Sequence, residues 1–286
     1  MTLRTSAALL ENRGVRVKAG RHGLVAYSVH DTFVGRSLDL YGEWSPGDAA
    51  LLARFVAPGM TVLDVGANIG THTVFFAERV GESGRVLAFE PVPAIFRLLC
   101  CNLALNGLGQ VWAQPAGVGR IGGRVRVPAV RLDEPANLGA TALTRDGEDD
   151  APVVAIDDLA LTACDLLKAD VEGMEDEVIA GAERTIARCR PVLFLENEEP
   201  SLSPPLIRRL LALDYRLYWH ARSLFCPDNF FGNRVDAFPT FGFLNLLGLP
   251  AERGTVVNGP KGVQGPDDWP AWWPDWSAQE TQGGEA

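Results

Sequence analysis

Thr61-Val62-Leu63-Asp64-Val65-Gly66-Ala67-Asn68-Ile69-Gly70 is the stretch whose reading decides the fold of this 286-residue chain. Its first half is a short apolar run, the pattern of a parallel strand buried on both faces. Small residues break the run, and an amphipathic helix carrying Val74, Phe75 and Val80 starts at Thr71. Strand, glycine turn and helix in this order set a helix N-terminus beside the C-terminal edge of a sheet, where open α/β sheets bind ligands. Gly66 and Gly70 leave backbone bare for close approach. Asp64, at the strand tip, can accept hydrogen bonds from turn amides or from a ligand ammonium.

A second strand, Arg85 to Phe89, ends in Glu90-Pro91. A carboxylate at that tip is placed to accept both hydroxyls of a ribose. Two cofactors answer this description, a dinucleotide and S-adenosylmethionine. A dinucleotide site requires G-x-G-x-x-G, whose second glycine lets backbone touch the pyrophosphate. Here the turn reads Gly66, Asn68, Gly70, and Asn68 brings a side chain to that place. S-adenosylmethionine has no phosphate and tolerates it, so it is the expected cofactor.

Downstream, Pro93 to Leu105 has helical spacing, with Asn102 and Asn106 one turn apart on what reads as a solvated face. Val111 to Val118 reads as a third strand, with Ala116 near the adenine. Arg120 to Arg131 reads as an added hairpin, and Arg145 to Asp150 as an exposed acidic segment. Asp165 to Gly173 gives a fourth parallel strand, on whose exit Lys168, Asp170 and Glu172 alternate. Period two sets these three on one face. Burying such a cluster without a task is costly, so it is the candidate reaction site. Pro191 to Leu195 is a fifth strand, ending in Glu196-Asn197. Arg216 to Trp219 and Phe241 to Leu247 form a closing antiparallel pair. His220, just past the first of these, is a candidate general base beside Asp170 and Glu172, with Lys168 tuning them or orienting the cofactor. No ligand spacing calls for a metal.

With these motifs in place, the chain resembles the FkbM-type family of S-adenosylmethionine-dependent methyltransferases. The specific features are Asp64-Val-Gly-Ala-Asn-Ile-Gly70, Ala88-Phe-Glu-Pro91, Asn102 with Asn106, and Lys168-Ala-Asp-Val-Glu-Gly173. The resemblance implies a Rossmann-like class I methyltransferase fold: a mostly parallel seven-stranded sheet with one antiparallel strand. It also implies that one of the two asparagines steadies the Glu90 loop, and most often O-methylation of sugars or polyketide-like products. The expected cofactor contacts are Asp64, Gly66, Asn68, Gly70, Thr71, Glu90, Pro91, Ala116 and Asp170. The expected organisation is an N-terminal extension over 1–57, the methyltransferase domain over 58–253, and a mobile Trp-, Pro- and Gly-rich tail over 254–286. Within the extension, Ser45-Pro46-Gly47-Asp48 reads as a capping box opening a helix.

Composition bounds the rest. Apolar residues at 47% and charged residues at 22% are ordinary for a globular chain. A net charge of −10 argues against a nucleic-acid partner. Five cysteines without metal spacing fit a reducing cytoplasm, and no apolar run approaches the roughly 18 to 20 residues of a membrane span. A small-molecule or glycan acceptor is expected. The alternatives are an NAD-linked oxidoreductase and a non-catalytic nucleoside-binding module.

Overall fold

A computed structural model describes residues 6–139, 147–239, 241–254, 260–271 and 273. The chain opens with three antiparallel strands, β1 (Leu10–Asn12), β2 (Val15–Gly20) and β3 (Gly23–Ser28), then helices α1 (Val34–Tyr41) and α2 (Pro46–Leu52). The Rossmann-like run follows: β4 (Thr61–Val65), α3 (Thr71–Val80), β5 (Arg85–Phe89), α4 (Pro93–Leu105) and β6 (Val111–Gln114). Short strands β7 (Gly117–Val118), β8 (Gly123–Val127) and β9 (Asp149–Val154) make a small sheet of their own, in the order β7-β9-β8. Then come β10 (Leu166–Ala169), α5 (Glu175–Ala180), α6 (Glu183–Cys189), β11 (Val192–Glu196), α7 (Ser203–Ala212), β12 (Tyr215–Ser223), β13 (Gly242–Pro250) and β14 (Lys261–Gly262).

The main sheet runs β14-β12-β13-β11-β10-β4-β5-β6. From β6 to β11 every pairing is parallel, and β13 enters antiparallel between β11 and β12. This is the class I methyltransferase arrangement, with β14 added at one edge. The central strands are buried on both faces: Val62, Leu63, Leu166, Leu167, Leu193 and Leu195 are at most 2% exposed. Their continuous apolar runs are what such a position demands. Among the described residues, no helix is long and apolar enough to cross a membrane.

Four local expectations are corrected. The third strand is two: β6 stays in the main sheet, while Gly117 and Val118 leave it to pair with β9. The hairpin partner of β8 is β9. Asp149 and Asp150 therefore belong to a strand, while Arg145 and Asp146 lie outside the described residues. Ser45 does not cap α2 through its side chain. Its backbone is left-handed (φ 40°), and its hydroxyl donates to Asp48 Oδ2 at 2.6 Å. Finally, the start of the 254–286 segment is docked rather than loose. β14 pairs with β12, and the Trp269 ring meets Trp219 edge-on at 5.9 Å. Beyond Trp273 the segment lies outside the described residues.

The asparagines on α4 differ most from a solvated face. Asn102 is 1% exposed. Its side chain accepts from Ala26 N at 2.6 Å and donates to Ala26 O and Ile69 O at 3.0 and 2.7 Å. Asn106 binds Leu24 in the same way, accepting from its N–H and donating to its C=O. These amides satisfy the free edge of β3, which has no strand beyond it among the described residues. Beyond β3, Asn102 holds Ile69 in the glycine turn, not the Glu90 loop. Replacing Asn102 by Ala strands three buried backbone groups, each worth about 1–3 kcal/mol. Urea unfolding of Asn102→Ala is expected to show a loss of about 3 kcal/mol or more, and Asn106→Ala a smaller one.

Candidate active site

A cavity of about 1030 Å³ opens where β4, β5, β10 and β11 end. The turn after β4 forms one side. Gly66 has φ +72°, and a Cβ there would overlap the carbonyl oxygen of Asp170. Only glycine lets the two strand ends approach this closely. Gly66 and Ala67 donate their N–H groups to Phe89 O, which locks the turn onto β5.

Glu90 is the fixed point of the next strand end. It is 6% exposed, and its two oxygens accept from Asn68 N at 3.0 Å and Val92 N at 2.8 Å. Burial pushes its carboxyl up to about 7, against the pull of those two amides. Asn68 itself is left-handed (φ 51°), with its side-chain oxygen accepting from Ile69 N. Asn68, Thr71, Glu90, Pro91 and Ala116 all line the cavity.

Asp64 and Gly70 do not line it. Asp64 is fully buried behind the turn, accepting from Thr73 Oγ1 at 2.6 Å, with Oδ1 3.2 Å from Lys168 Nζ. It holds neither turn amides nor an open face toward a ligand. Gly70 (φ +91°) serves to start α3. Lys168 donates to Gly66 O at 2.9 Å and lies 3.4 Å from Asp170 Oδ2. Burial opposes its charge, but Asp170 and Asp64 outweigh burial and hold the ammonium above the ordinary lysine range.

Lys168, Asp170 and Glu172 all reach the cavity, though not as one strand face. The strand stops at Ala169, and Glu172 sits in a turn with φ 54°. That turn brings Glu172 to Glu196: the Glu172 N–H donates to Glu196 Oε2 at 3.3 Å. Carboxylate oxygens of Asp170, Glu172 and Glu196 come within 4.8 Å of one another. Burial, then Asp170 and Glu172, push the Glu196 carboxyl well above its usual range.

His220 is not in the cavity. β12 continues through it to Ser223, so the residue lies within the strand, opposite Asn245. It is 2% exposed, its Nε2 is 2.8 Å from Asp48 Oδ1, and its ring meets Phe194 edge-on. Asp48 is held below the ordinary carboxylate range despite burial, chiefly by His220. The pair joins α2 to the sheet. Breaking a buried pair by removing one partner costs about 3–5 kcal/mol. His220→Leu is therefore expected to lower unfolding stability by about 3 kcal/mol in urea titrations, without altering the cavity lining.

The histidine that does line the cavity is His72, on the first turn of α3. It is 7% exposed, and its Nε2 has no hydrogen-bond partner. Burial, then Lys168, depress its pKa and keep it neutral. Its sequence signal was weak: one polar residue inside an amphipathic helix. Aromatic residues from outside the motif region also line the cavity: Trp44 before α2, Phe241 and Phe243 near β13, and Trp269 and Trp273 from the C-terminal segment.

The sequence of this chain matches the Methyltransferase FkbM domain over residues 64–217. It is 28% identical over 203 residues to Methyltransferase sdnD of Sordaria araneosa, covering 59% of this chain and 78% of that protein. Over a shorter stretch of 59 residues it is 37% identical to Methyltransferase 1 of Beauveria bassiana, covering 21% of this chain and 23% of that one. Among solved structures, the FkbM methyltransferase of Methylobacillus flagellatus is 20% identical with a TM-score of 0.44. It covers 66% of this chain, which spans 43% of that longer one. An S-adenosylmethionine-dependent O-methyltransferase of Thermotoga maritima is 18% identical with a TM-score of 0.42, covering 71% of this chain and 64% of that one. With its family model spanning residues 64–217, more than half its length, this chain belongs to the FkbM methyltransferases.

Proposed function

We propose that this chain transfers a methyl group from S-adenosylmethionine to a hydroxyl of a small natural product or glycan. The observation that carries the reading is the Glu90 clamp beside the bare Gly66 turn. Each Glu90 oxygen accepts one backbone amide and keeps a further lone pair, a fit for a ribose diol. Asn68 lines the cavity where a diphosphate would need bare backbone, which disfavours an NAD-linked oxidoreductase. When bound, S-adenosylmethionine supplies an electrophilic methyl on a sulfonium.

The residues of the chain divide the remaining work. Glu90, Asn68, Thr71 and Ala116 would hold the nucleoside. Lys168 keeps Gly66 and Asp170 in register. Asp170 lines the cavity with its side chain 40% exposed, which supports a role in taking the proton of an acceptor hydroxyl. Glu172 lies next to it in the lining. Orientation of an acceptor within such walls supplies much of the rate in a displacement reaction.

Two outcomes follow. A ribose diol donates to the ionised Glu90, so binding of S-adenosylhomocysteine is full above about 7 and falls as pH drops through that value. Calorimetry is expected to show about a tenfold loss per pH unit below it, with a flat profile in Glu90→Gln. For turnover, labelled S-adenosylmethionine is incubated with methyl glycosides, phenols and hydroxylated macrolactones and the products weighed by mass spectrometry. Asp170→Asn is expected to lower methyl transfer about 10²-fold or more with little change in S-adenosylhomocysteine affinity. Cofactor binding without transfer to any acceptor in the panel would instead point to the non-catalytic nucleoside-binding module.

A further inference from the structure

We infer that Trp269 and Trp273, with Phe241 and Phe243 beside them, are the residues that select the acceptor, and that the acceptor they select carries a flat aromatic ring.

The cavity has two ends. Asn68 and Glu90 stand past the tips of β4 and β5. β13 lies three strands from β4 and four from β5. Neighbouring strands are about 4.8 Å apart, so β13 is roughly 14 to 19 Å from the Glu90 side. It runs antiparallel to β11, with Asn245 opposite Glu196, so its first residues stand at the same sheet edge as the strand exits. Phe241, Gly242 and Phe243 line the cavity there. A ligand body at this end lies beyond the nucleoside and is the acceptor, an assignment that rests on the methyl-transfer reading.

Trp269 and Trp273 reach this end through a built attachment. Lys261 and Gly262 pair with Trp219 and Tyr218, and Val263 donates its N–H to Leu217 O at 2.9 Å. Asp268 Oδ2 accepts from Gln264 N at 2.8 Å and from Trp219 Nε1 at 3.4 Å, and the Trp269 ring meets Trp219 edge-on. Gly242 makes room for the second tryptophan: a Cβ there would stand 3.2 Å from the Trp273 ring. The phenylalanines are fixed as well. Phe241 meets Phe243 edge-on at 5.7 Å, and Trp44 meets Phe243 at 5.3 Å. Rings that hold one another in place offer a further ring both faces and edges at little ordering cost.

The polar side chains at this end already serve the protein. Glu198 Oε1 accepts from Leu244 N at 3.0 Å, Glu199 Oε1 accepts from Ser201 N at 3.1 Å, and Asn197 donates to Ser203 Oγ at 2.8 Å. Leu202 and Leu206, at the head of α7, add apolar lining. A planar aromatic ring gains from such a wall beyond the area it buries, and a sugar rimmed with hydroxyls gains less.

The test needs no turnover. The full chain, saturated with S-adenosylhomocysteine, is titrated by calorimetry with 2-naphthol, with decahydro-2-naphthol, which has the same skeleton without the aromatic faces, and with methyl glucoside. 2-Naphthol is expected to bind about fivefold tighter than its saturated counterpart, with methyl glucoside weakest. Trp269→Leu and Trp273→Leu should each reduce that preference, and Trp273→Phe should keep it. Val263→Pro, which removes the N–H donated to Leu217, should reduce it with both tryptophans still present. The affinity for S-adenosylhomocysteine should stay within about twofold in all four variants. Equal affinities for the two naphthols, tighter binding of the glucoside, no 2-naphthol binding at millimolar concentration, or an unchanged preference in both leucine variants overturns the inference. So does a parallel loss of S-adenosylhomocysteine affinity in the leucine variants, since the tryptophans would then be holding the fold. Failure of the unaltered chain to bind S-adenosylhomocysteine would strike the methyl-transfer reading instead, while the same ring series run on the chain alone still reads the wall.

Discussion

A lysine ammonium with its side chain 4% exposed, held between two carboxylates, is the constraint on which the centre of this molecule depends. An unpaired charge at that depth would be prohibitive. Lys168 on β10 must therefore keep Asp64 on β4, Asp170 beyond its own strand, and the carbonyl of Gly66 all within reach. The consequence is geometric. Two neighbouring parallel strands are made to end together, and the turn between β4 and α3 is pinned from beneath. Gly66 completes the arrangement because any side chain would collide with the Asp170 carbonyl. Asp64 thus serves the ligand at one remove, by fixing the lysine that fixes the turn.

From that pinned turn the order spreads outward through backbone groups. Asn68 N–H and Val92 N–H hold Glu90, and Asn102 ties Ile69 of the same turn to Ala26 in β3. The N-terminal extension is consequently no separate appendage. Its third strand ends its hydrogen bonding on the side chains of α4, its α1 brings Val34 to the cavity, and its α2 is joined to β12 by Asp48 and His220. Burying Asp48 and His220 together is costly unless each satisfies the other, which is why this pair belongs to the scaffold and not to the chemistry.

The parts legible in the sequence were those whose signal is local. An apolar run followed by G-x-N-x-G declares a buried strand and a tight turn, and Glu90 at the next strand tip declares an edge of the cavity. The unreadable parts depended on distance along the chain. Asn102 and Asn106 look like solvated helix positions because nothing nearby reveals that a strand edge 76 to 82 residues earlier needs them. His220 looked like a loop base because the strand appeared to stop at Trp219. It runs four residues further, its pairing with β13 extended by Gly242 to Leu244. The tryptophans of the C-terminal segment sit among prolines and glycines, a composition that reads as loose. Only the pairing of Lys261–Gly262 with β12 draws them to the cavity.

The same division explains why the acceptor is harder to read than the cofactor. Residues 64–217, the family-matched region, contain the turn, Glu90, Lys168 and the carboxylate-rich strand exits. Most of the aromatic lining (Trp44, Phe241, Phe243, Trp269 and Trp273) comes from residues before and after that region. A methyl donor presents the same nucleoside to every member of such a family, so the elements that meet it can be recognised from short motifs. The aromatic walls are assembled from segments whose positions emerge only when the sheet brings strand ends together. Trp44 and Trp273 stand 229 positions apart in the chain, yet they share one cavity because β12 is bonded to β14 on one side and packs against α2 through His220. The wall of this cavity is a matter of closure: segments far apart in the chain are brought to the cavity that its middle builds.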